Sequence, residues 1–334
     1  MDLTTTYLGL SLRNPLIASA SPLTIGLDNI RRIEDAGGAA VVLPSLFEEQ
    51  IEQEANTVEQ YTDTGPGGFA AMMSYLPSAD SYRVLSHDYL ETIRTARDAV
   101  SIPLIASLNG VTGAGWTQHA RLAQEAGASA IELNVFFIPA DPSLIPERVE
   151  QRYVEVLHAV KAAVSIPVSI KLSPYFTAPA HTVRLLSRAG ADGFVLFNRF
   201  YQPDINLDGL RLRHDLELST PVEIRLPLLW LGVLFEQVPA SLAASTGVDT
   251  SDEVVKYLLA GADVVMTASA LLRHGIGHLR ALLGGLTEWM TAHDFAALSD
   301  IRGRLSLQSI KDPIAYQRVN YVKILKGPAF DGKG

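Results

Sequence analysis

A phrase that recurs four times constrains the fold of this chain more than any other feature. Each copy is a helical pattern that ends in Ala-Gly, followed by one or two small residues and a short apolar run. Glycine adopts the left-handed conformation at a helix C-terminus without strain. We therefore predict that these glycines end four helices, each leading into a strand: Gly37, Gly127, Gly190 and Gly261.

The apolar runs after these glycines do not alternate with polar residues, which is typical of strands buried on both faces of a parallel sheet. Similar runs occur elsewhere, and a helical pattern follows each one, which indicates repeated βαβ units. Eight such units close a barrel more readily than they build an open sheet. The prediction is an α/β fold, a (β/α)8 TIM barrel, with strands near 15–21, 39–46, 103–110, 130–137, 168–173, 193–200, 240–246 and 263–269.

No linker divides the 334 residues, so we expect one domain over 1–334. Long segments interrupt the pattern after strand two, at about 47–87, and after strand six, at 200–220. Loops of this length are usually functional. A hairpin at about 5–14 is expected to cover the bottom of the barrel, and a helical tail is expected over about 292–334.

Charge and composition exclude several classes of protein. A net charge of −9 argues against binding to nucleic acid or to an anionic membrane surface. The absence of cysteine removes disulfides, iron–sulfur ligation and any thiol base, and no metal site is predicted. The N-terminus lacks a signal-peptide pattern, and the most apolar run, 226–235, is shorter than the ~20 residues that span a bilayer. We expect a cytoplasmic protein.

Polar residues gather at the predicted C-terminal ends of the strands, where barrels of this type carry their active sites. Asn109, Asn134, Lys171 and Asn198 end strands three to six. A lone asparagine in such a position often does no more than satisfy backbone groups. Three asparagines and a lysine at equivalent ends are better explained by a shared site, which we predict here.

Lys171 has three interpretations, because a lysine inside a barrel is costly to bury as a cation without an anionic partner. It could stabilise the negative charge of a reduced flavin. It could be the imine-forming lysine of a barrel aldolase. It could also simply form an ion pair with Glu132 or another interior carboxylate.

The ends of the last two strands suggest a phosphate site. Barrels often bind phosphate there with backbone N–H groups. The segment 246–248 contains a glycine that permits close approach, and 267–269 contains small and hydroxyl-bearing residues ahead of a helix. Thr-Gly-Val is a weak motif, and only its position at this rim supports the interpretation.

Several stretches resemble dihydroorotate dehydrogenase, especially its soluble class 1 branch, and the likeness extends over nearly the whole chain. The most specific are IPLIASLNG, ASAIELNV, IPVSIKLSP, GFVLFNRF and LLAGADVVMTASALLRHG. The resemblance implies a bound FMN that contacts Ala20, Ser21, Ser45, Asn109, Asn134, Lys171 and Asn198. It implies that the FMN phosphate lies on Thr246, Gly247, Val248, Thr267, Ala268 and Ser269. Lys171 and Asn134 are the residues we expect to act in catalysis.

The substrate side departs from the family pattern. Phe137 stands where the family has its catalytic cysteine or serine base, and Pro139 replaces a substrate-binding asparagine. Pro44 stands in place of a lysine after strand two, and Met72 stands where another orotate-binding asparagine belongs. Phenylalanine cannot remove a proton, so a substitute base is needed for this reaction. The candidates in predicted rim loops are Ser74, Tyr75, Tyr175 and Tyr201.

The resemblance implies an FMN-dependent oxidoreductase of pyrimidine metabolism that oxidises a CH–CH group of dihydroorotate or a related small cyclic substrate. Two alternatives remain: a non-catalytic flavin-binding or electron-transfer protein, favoured by the apolar pair at 136–137, and a Lys171 Schiff-base aldolase. The expected partner is a small-molecule substrate. A homodimer would cover apolar loop stretches such as FNRFY. The sequence does not identify the electron acceptor.

Overall fold

Eight parallel strands form a closed barrel in the computed structural model. Each strand pairs with the next along the chain, and the last pairs with the first. The predicted (β/α)8 TIM barrel is therefore confirmed. The structure describes residues 1–47, 86–109, 113–135, 137–199, 204–213 and 217–309.

Each of the eight barrel strands overlaps a predicted one; seven are shorter than predicted, and the second, 40–47, keeps the predicted length. They are β3 (Leu16–Ala18), β4 (Ala40–Phe47), β5 (Leu104–Asn109), β6 (Ala130–Asn134), β7 (Val168–Leu172), β8 (Gly193–Leu196), β11 (Ser241–Ala244) and β12 (Val264–Thr267). Two further pairs form antiparallel hairpins: β1 (Thr5–Tyr7) with β2 (Leu10–Leu12), and β9 (Asp204–Asn206) with β10 (Arg211–Arg213).

The helices of the described residues surround this barrel. They are α1 (Leu27–Asp35), α2 (Ser86–Arg97), α3 (Gly113–Ala126), α4 (Pro146–Ala163), α5 (Pro179–Arg188), α6 (Arg225–Leu234), α7 (Ser251–Ala260), α8 (Ser269–His274) and α9 (His278–Ala292). Short 3-10 helices span Pro22–Thr24, Pro221–Ile224 and Leu298–Asp300. Within the described ranges, no helix is both long and apolar enough to cross a membrane.

The four predicted glycine caps are confirmed. Their φ angles lie between 97° and 120°, in the region that favours glycine. At Gly261 the need for glycine is also steric, because an added Cβ would lie 2.5 Å from the Phe235 ring. Each cap turns the chain from an outer helix back into the barrel, which sets the starting point of the next strand.

The barrel interior changes character from bottom to top. Its lower part is apolar and includes Ile17, Val42, Ile105, Val195 and Met266. The hairpin β1–β2 covers this end and packs the buried side chains of Tyr7, Leu8 and Leu12 against the same cluster. Because the bottom is closed by apolar packing, only the upper mouth is left for chemistry.

Strand β4 contains an irregularity at Pro44, the position at which the resemblance implies a lysine. Proline has no N–H to donate to the ladder. The register between β4 and β5 accordingly shifts between Val42 and Ser45. Pro44 is buried, so this position offers no charged group to the mouth of the barrel.

The segments predicted as insertions are described only in part. Most of 47–87 lies outside the described residues. The described part of the insertion after strand six contains the β9–β10 ribbon, and the 3-10 helix that precedes α6 begins directly after the insertion, at Pro221. In the predicted tail, the described part up to residue 309 contains the 3-10 helix Leu298–Asp300, and 310–334 lie outside the described residues.

Candidate active site

Three of the predicted site residues form one row across neighbouring strands. Asn109 on β5 pairs with Asn134 on β6. Leu133 pairs with Ile170, which places Asn134 level with Lys171 on β7. Outward-facing neighbours of these residues, such as Leu133, belong to the outer core. By strand alternation the row therefore faces the barrel interior, near the C-terminal mouth.

Asn198 joins this row from the end of β8. Its backbone N–H donates to Leu172 O at 2.7 Å, which ties it to the end of β7. Its side-chain Nδ2 donates to Asn134 Oδ1, also at 2.7 Å. Asn134 and Asn198 are half-buried, whereas Asn109 is only 8% exposed. The amides that the sequence predicted as one site are thus brought together.

Lys171 has a carboxylate partner within the protein. Its Nζ lies 3.6 Å from Oε1 of Glu132, and the two side chains are 11% and 1% exposed. The pairing with Glu132 that the sequence left open is therefore present. Lys171 therefore has an acidic partner inside the protein, and its burial alone does not indicate a cofactor.

The serines near the row have structural partners. Ser45 and Ser107 share a hydrogen bond between their hydroxyl oxygens at 2.8 Å. Ser21 caps the 3-10 helix Pro22–Thr24 by accepting from the Leu23 N–H at 3.3 Å. Ala20 packs against the interior cluster at the end of β3. Ala20, Ser21 and Ser45 thus lie at the mouth by position, and their contact with a cofactor stays a prediction.

The loop after β11 has two successive residues in the left-handed region, Thr246 at φ 82° and Gly247 at φ 74°. This conformation is uncommon for a β-branched residue. Thr246 is held in it by two bonds: its carbonyl accepts from the Tyr257 hydroxyl at 2.7 Å, and its Oγ1 donates to Phe197 O at 3.2 Å. At Gly247 an added Cβ would lie 2.8 Å from Thr220 O.

The two predicted phosphate-binding segments lie side by side. Thr267 Oγ1 donates to Val248 O at 3.3 Å, which joins the loop after β12 to the loop after β11. Ala268 precedes α8, and Ser269 is its first residue. Residues 246–248 and 267–269 are therefore brought together as predicted, at the same mouth as the row of amides.

Ser219 is a residue that sequence reasoning missed. Its Oγ accepts from the Gly247 N–H at 3.1 Å and donates to Ser269 Oγ at 2.9 Å, so it bridges the two segments that are predicted to bind phosphate. The available signal was the sequence after it, because Thr220 and Glu223 form a capping box that begins a helical turn. That turn positions Ser219, but its distance from the loops could not be read from the sequence.

Three buried tyrosines on outer helices reach the strand ends. Tyr89 accepts from Ser107 N at 2.9 Å, Tyr153 donates to Val135 O at 3.0 Å, and Tyr257 donates to Thr246 O. Burial raises the pKa of each of these phenols. The hydroxyl groups therefore stay protonated at neutral pH and fix the backbone where the strands leave the barrel.

Phe137, which stands where the resemblance places a catalytic base, lies against a charged side chain. The guanidinium carbon of Arg152 lies 4.0 Å from the centre of the Phe137 ring. This arrangement is a cation–π contact. Pro139 is exposed, and Tyr175, a candidate substitute base, is 66% exposed. The other candidate bases, Ser74, Tyr75 and Tyr201, lie outside the described residues. So does Met72, which stands where the resemblance places an orotate-binding asparagine.

Within the described residues, no cluster of three or more acidic or histidine side chains is placed to hold a metal ion.

No protein-family model matches the chain. It is 24% identical over 370 residues to the NAD-dependent dihydropyrimidine dehydrogenase subunit PreA of Escherichia coli (strain K12), covering 96% of this chain and 82% of that protein. It is 24% identical over 336 residues to the chloroplastic dihydropyrimidine dehydrogenase (NADP(+)) of Arabidopsis thaliana, covering 92% and 77%.

A third relative is the catalytic subunit of dihydroorotate dehydrogenase B (NAD(+)) of Methanothermobacter thermautotrophicus. It is 27% identical over 318 residues, covering 90% of this chain and 97% of that protein. The resemblance inferred from the sequence is therefore confirmed, and it extends to dihydropyrimidine dehydrogenases, which the sequence did not indicate. All three relatives are dehydrogenases.

Proposed function

Since this chain is a dihydroorotate dehydrogenase-like protein, we propose that it is an FMN-dependent oxidoreductase. Its substrate is a small cyclic molecule oxidised at a CH–CH bond, either dihydroorotate or a related compound. The observation that carries this proposal is the row of Asn109, Asn134 and Lys171, which faces one mouth of a closed barrel. The relatives support the reaction class, because their names describe dehydrogenases of reduced pyrimidines.

The residues of the row fit the ring system of FMN. Amide side chains both donate and accept hydrogen bonds, which suits the carbonyl and imide edge of the ring. Lys171 contributes a cation, which stabilises an anionic reduced ring. Asn198 orients Asn134 through the 2.7 Å bond between their side chains. These four residues would hold the ring.

The two loops beside Ser219 fit the phosphate. The Gly247 N–H lies outside the strand ladder and donates to the Ser219 hydroxyl, which lies between the two loops. The hydroxyl groups of Ser219 and Ser269 add neutral donors in the same place. Residues 246–248 and 267–269 would therefore hold the phosphate, with Ser219 as a further contact.

FMN bound here would supply a two-electron acceptor for hydride. Lys171 would favour the added negative charge, and the closed apolar bottom would exclude water from below. Phe137 supplies no proton acceptor. Because a general base typically contributes 10²–10⁴-fold, we expect slow oxidation of dihydroorotate unless another side chain takes this role.

Two specific observations keep the alternatives testable. Phe137 under Arg152 favours a flavin-binding electron-transfer protein without turnover. Glu132, 3.6 Å from Lys171, would supply an aldolase with a carboxylate that can move protons. Borohydride reduction in the presence of a carbonyl compound would trap an adduct on Lys171 only in the aldolase.

Exposed apolar side chains support a contact with a second copy of the chain. On the β9–β10 ribbon, Ile205 and Leu212 form a cross-strand pair. These two, Leu207 and Leu210 are 53–86% exposed. Exposed apolar patches of this kind often mark interfaces. Sedimentation at several concentrations should show a dimer that Leu207→Ser and Leu210→Ser weaken, whereas a monomer throughout would contradict this part of the proposal.

The decisive experiment is an absorption spectrum of the purified protein, with mass identification of any released chromophore. We expect a yellow protein that dithionite bleaches and whose chromophore has the mass of FMN. Protein stripped of chromophore should regain the spectrum when FMN is added. A colourless protein that remains colourless with FMN would overturn the proposal.

A further inference from the structure

Glu132 stands out among the buried groups for which the proposed reaction has no use. It lies on β6, between Ser107 and Ser169 of the neighbouring strands and one level below the row of Asn134. Its side chain is 1% exposed. Within the described residues, neither of its carboxylate oxygens has a hydrogen-bond partner. Its one close charged partner there is Lys171, at 3.6 Å.

A carboxylate in this position is costly for stability. Buried charges lose hydration, and an ion pair repays that loss only when further hydrogen bonds satisfy the remaining lone pairs. These bonds are missing here, and packing alone would favour an apolar or amide side chain of similar size. A glutamate at position 132 is therefore better explained by the effect of its negative charge on the Lys171 ammonium group than by a contribution to folding.

The charge of Glu132 reaches other groups in the interior. Burial raises the pKa of the Tyr7 phenol, and the charge of Glu132 raises it further. Burial also raises the pKa of Tyr89, and Glu132 again adds to this effect. Tyr7 lies in the bottom hairpin and Tyr89 on an outer helix, so the field of this carboxylate extends through the low-dielectric interior.

We propose that Glu132 is a positioning residue that offsets the charge of Lys171 and anchors its ammonium group below the mouth, and so sets the reduction potential of the flavin. This inference rests on the proposed function. Lys171 and Glu132 together carry no net charge, so the pair stabilises added negative charge on the ring less than a lone cation would. Removing the carboxylate should make the flavin easier to reduce.

The test is the midpoint potential of the FMN-bound protein for wild type, Glu132→Gln, Lys171→Met and the double variant. We expect a more positive potential in Glu132→Gln, and a much smaller shift when the same change is made in the Lys171→Met background. The second comparison is the critical one, because a residue that acts through Lys171 loses its effect when Lys171 is absent.

Glu253→Gln is a matched control. Glu253 is also a buried glutamate, and it also lies 3.6 Å from a lysine, Lys256. It belongs to the capping box of α7, where glutamine is tolerated. Its substitution should leave the potential unchanged. Glu132→Asp keeps the charge but withdraws it from Lys171, so it should give an intermediate shift, and it serves as the test variant where Glu132→Gln does not fold.

A second measurement needs no flavin. In the stripped protein, the rate at which acetic anhydride modifies Lys171 should increase severalfold in Glu132→Gln, because the ammonium group is no longer held. An unchanged labelling rate, an unchanged or more negative potential, or an equal shift in the Lys171→Met background would each overturn this inference. A wild-type protein that binds no FMN would overturn the proposed function as well, which separates the two failures.

Discussion

The two sides of the barrel mouth differ in what their side chains can do. On the proposed cofactor side, Asn109, Asn134 and Lys171 share one row, and Asn198 is hydrogen-bonded to Asn134. On the proposed substrate side, two positions that are polar in the family are apolar here: Phe137 lies against Arg152, and Pro44 lies where the ladder of β4 is irregular.

This difference follows from how each side is built. On the proposed cofactor side, Asn109, Asn134 and Lys171 are strand residues whose direction is dictated by the register of the sheet. On the proposed substrate side, Phe137 lies in a loop, which can change without disturbing the barrel, whereas Pro44 lies in β4, where the register shifts. One barrel can therefore keep the strand residues that we propose for FMN while residues proposed for the substrate differ from those of dihydroorotate dehydrogenases.

The largest effect is expected from Gly247→Ala. The new Cβ would lie 2.7 Å from Ile224 Cγ2 and 2.8 Å from Thr220 O, at a φ of 74° that disfavours alanine. Strain and overpacking together should cost roughly 2–6 kcal/mol. We expect FMN affinity, measured by fluorescence titration, to fall by about a hundredfold or more. Gly277→Ala is the control, because nothing lies within 4 Å of its added Cβ. Equal affinities in the two variants would remove residues 246–248 from the cofactor side.

Lys171→Met should have the next largest effect. A hydrogen bond to a charged group contributes roughly 1.5–3 kcal/mol. The affinity of the protein for reduced flavin should therefore fall about ten- to hundredfold. Lys161→Met is the matched control, because Lys161 also pairs with a carboxylate, Asp192, at 2.7 Å. If both variants bind reduced flavin as the wild type does, the cofactor side does not include Lys171.

Phe137→Cys tests whether the substrate side lacks only its base. A thiolate at this position should raise dihydroorotate oxidation by about tenfold or more, and the rate should increase with pH toward the usual thiol pKa of about 8.5. Phe137→Ala opens the same space without a base and should show no gain. An inactive Phe137→Cys protein that still binds FMN would mean that the substrate side differs in more than its base.

The smallest expected effect is a change in the unfolding free energy with pH, which involves one tyrosine on each side of the mouth. Tyr153 supports the substrate side and Tyr257 the cofactor side, and burial raises the pKa of both. A group whose pKa is higher in the folded state favours folding below its unfolded pKa and loses that contribution above it. The unfolding free energy, measured with urea, should therefore fall as pH rises above about 10. Tyr153→Phe and Tyr257→Phe should each lessen this fall, and stability that stays constant up to pH 11 would contradict the assignment.

Much of the cofactor side could be predicted from the sequence because its signals are local. Asn109, Asn134 and Lys171 end short apolar runs, and parallel strands in a barrel bring such ends to one face. The same reasoning could not find Ser219, which lies in an irregular insertion and meets Ser269 fifty residues later in the chain. It also could not decide among the three interpretations of Lys171, since each requires a different neighbour.

Sequence alone determined the repeated units, the glycines that end the helices and the set of polar strand ends, since each depends on residues adjacent along the chain. Only the tertiary structure decided which distant groups meet: Glu132 with Lys171, Asn134 with Asn198, and Arg152 with Phe137. The physical reason is closure of the barrel. Register and strand direction bring these side chains within bonding distance, and no local pattern records that distance.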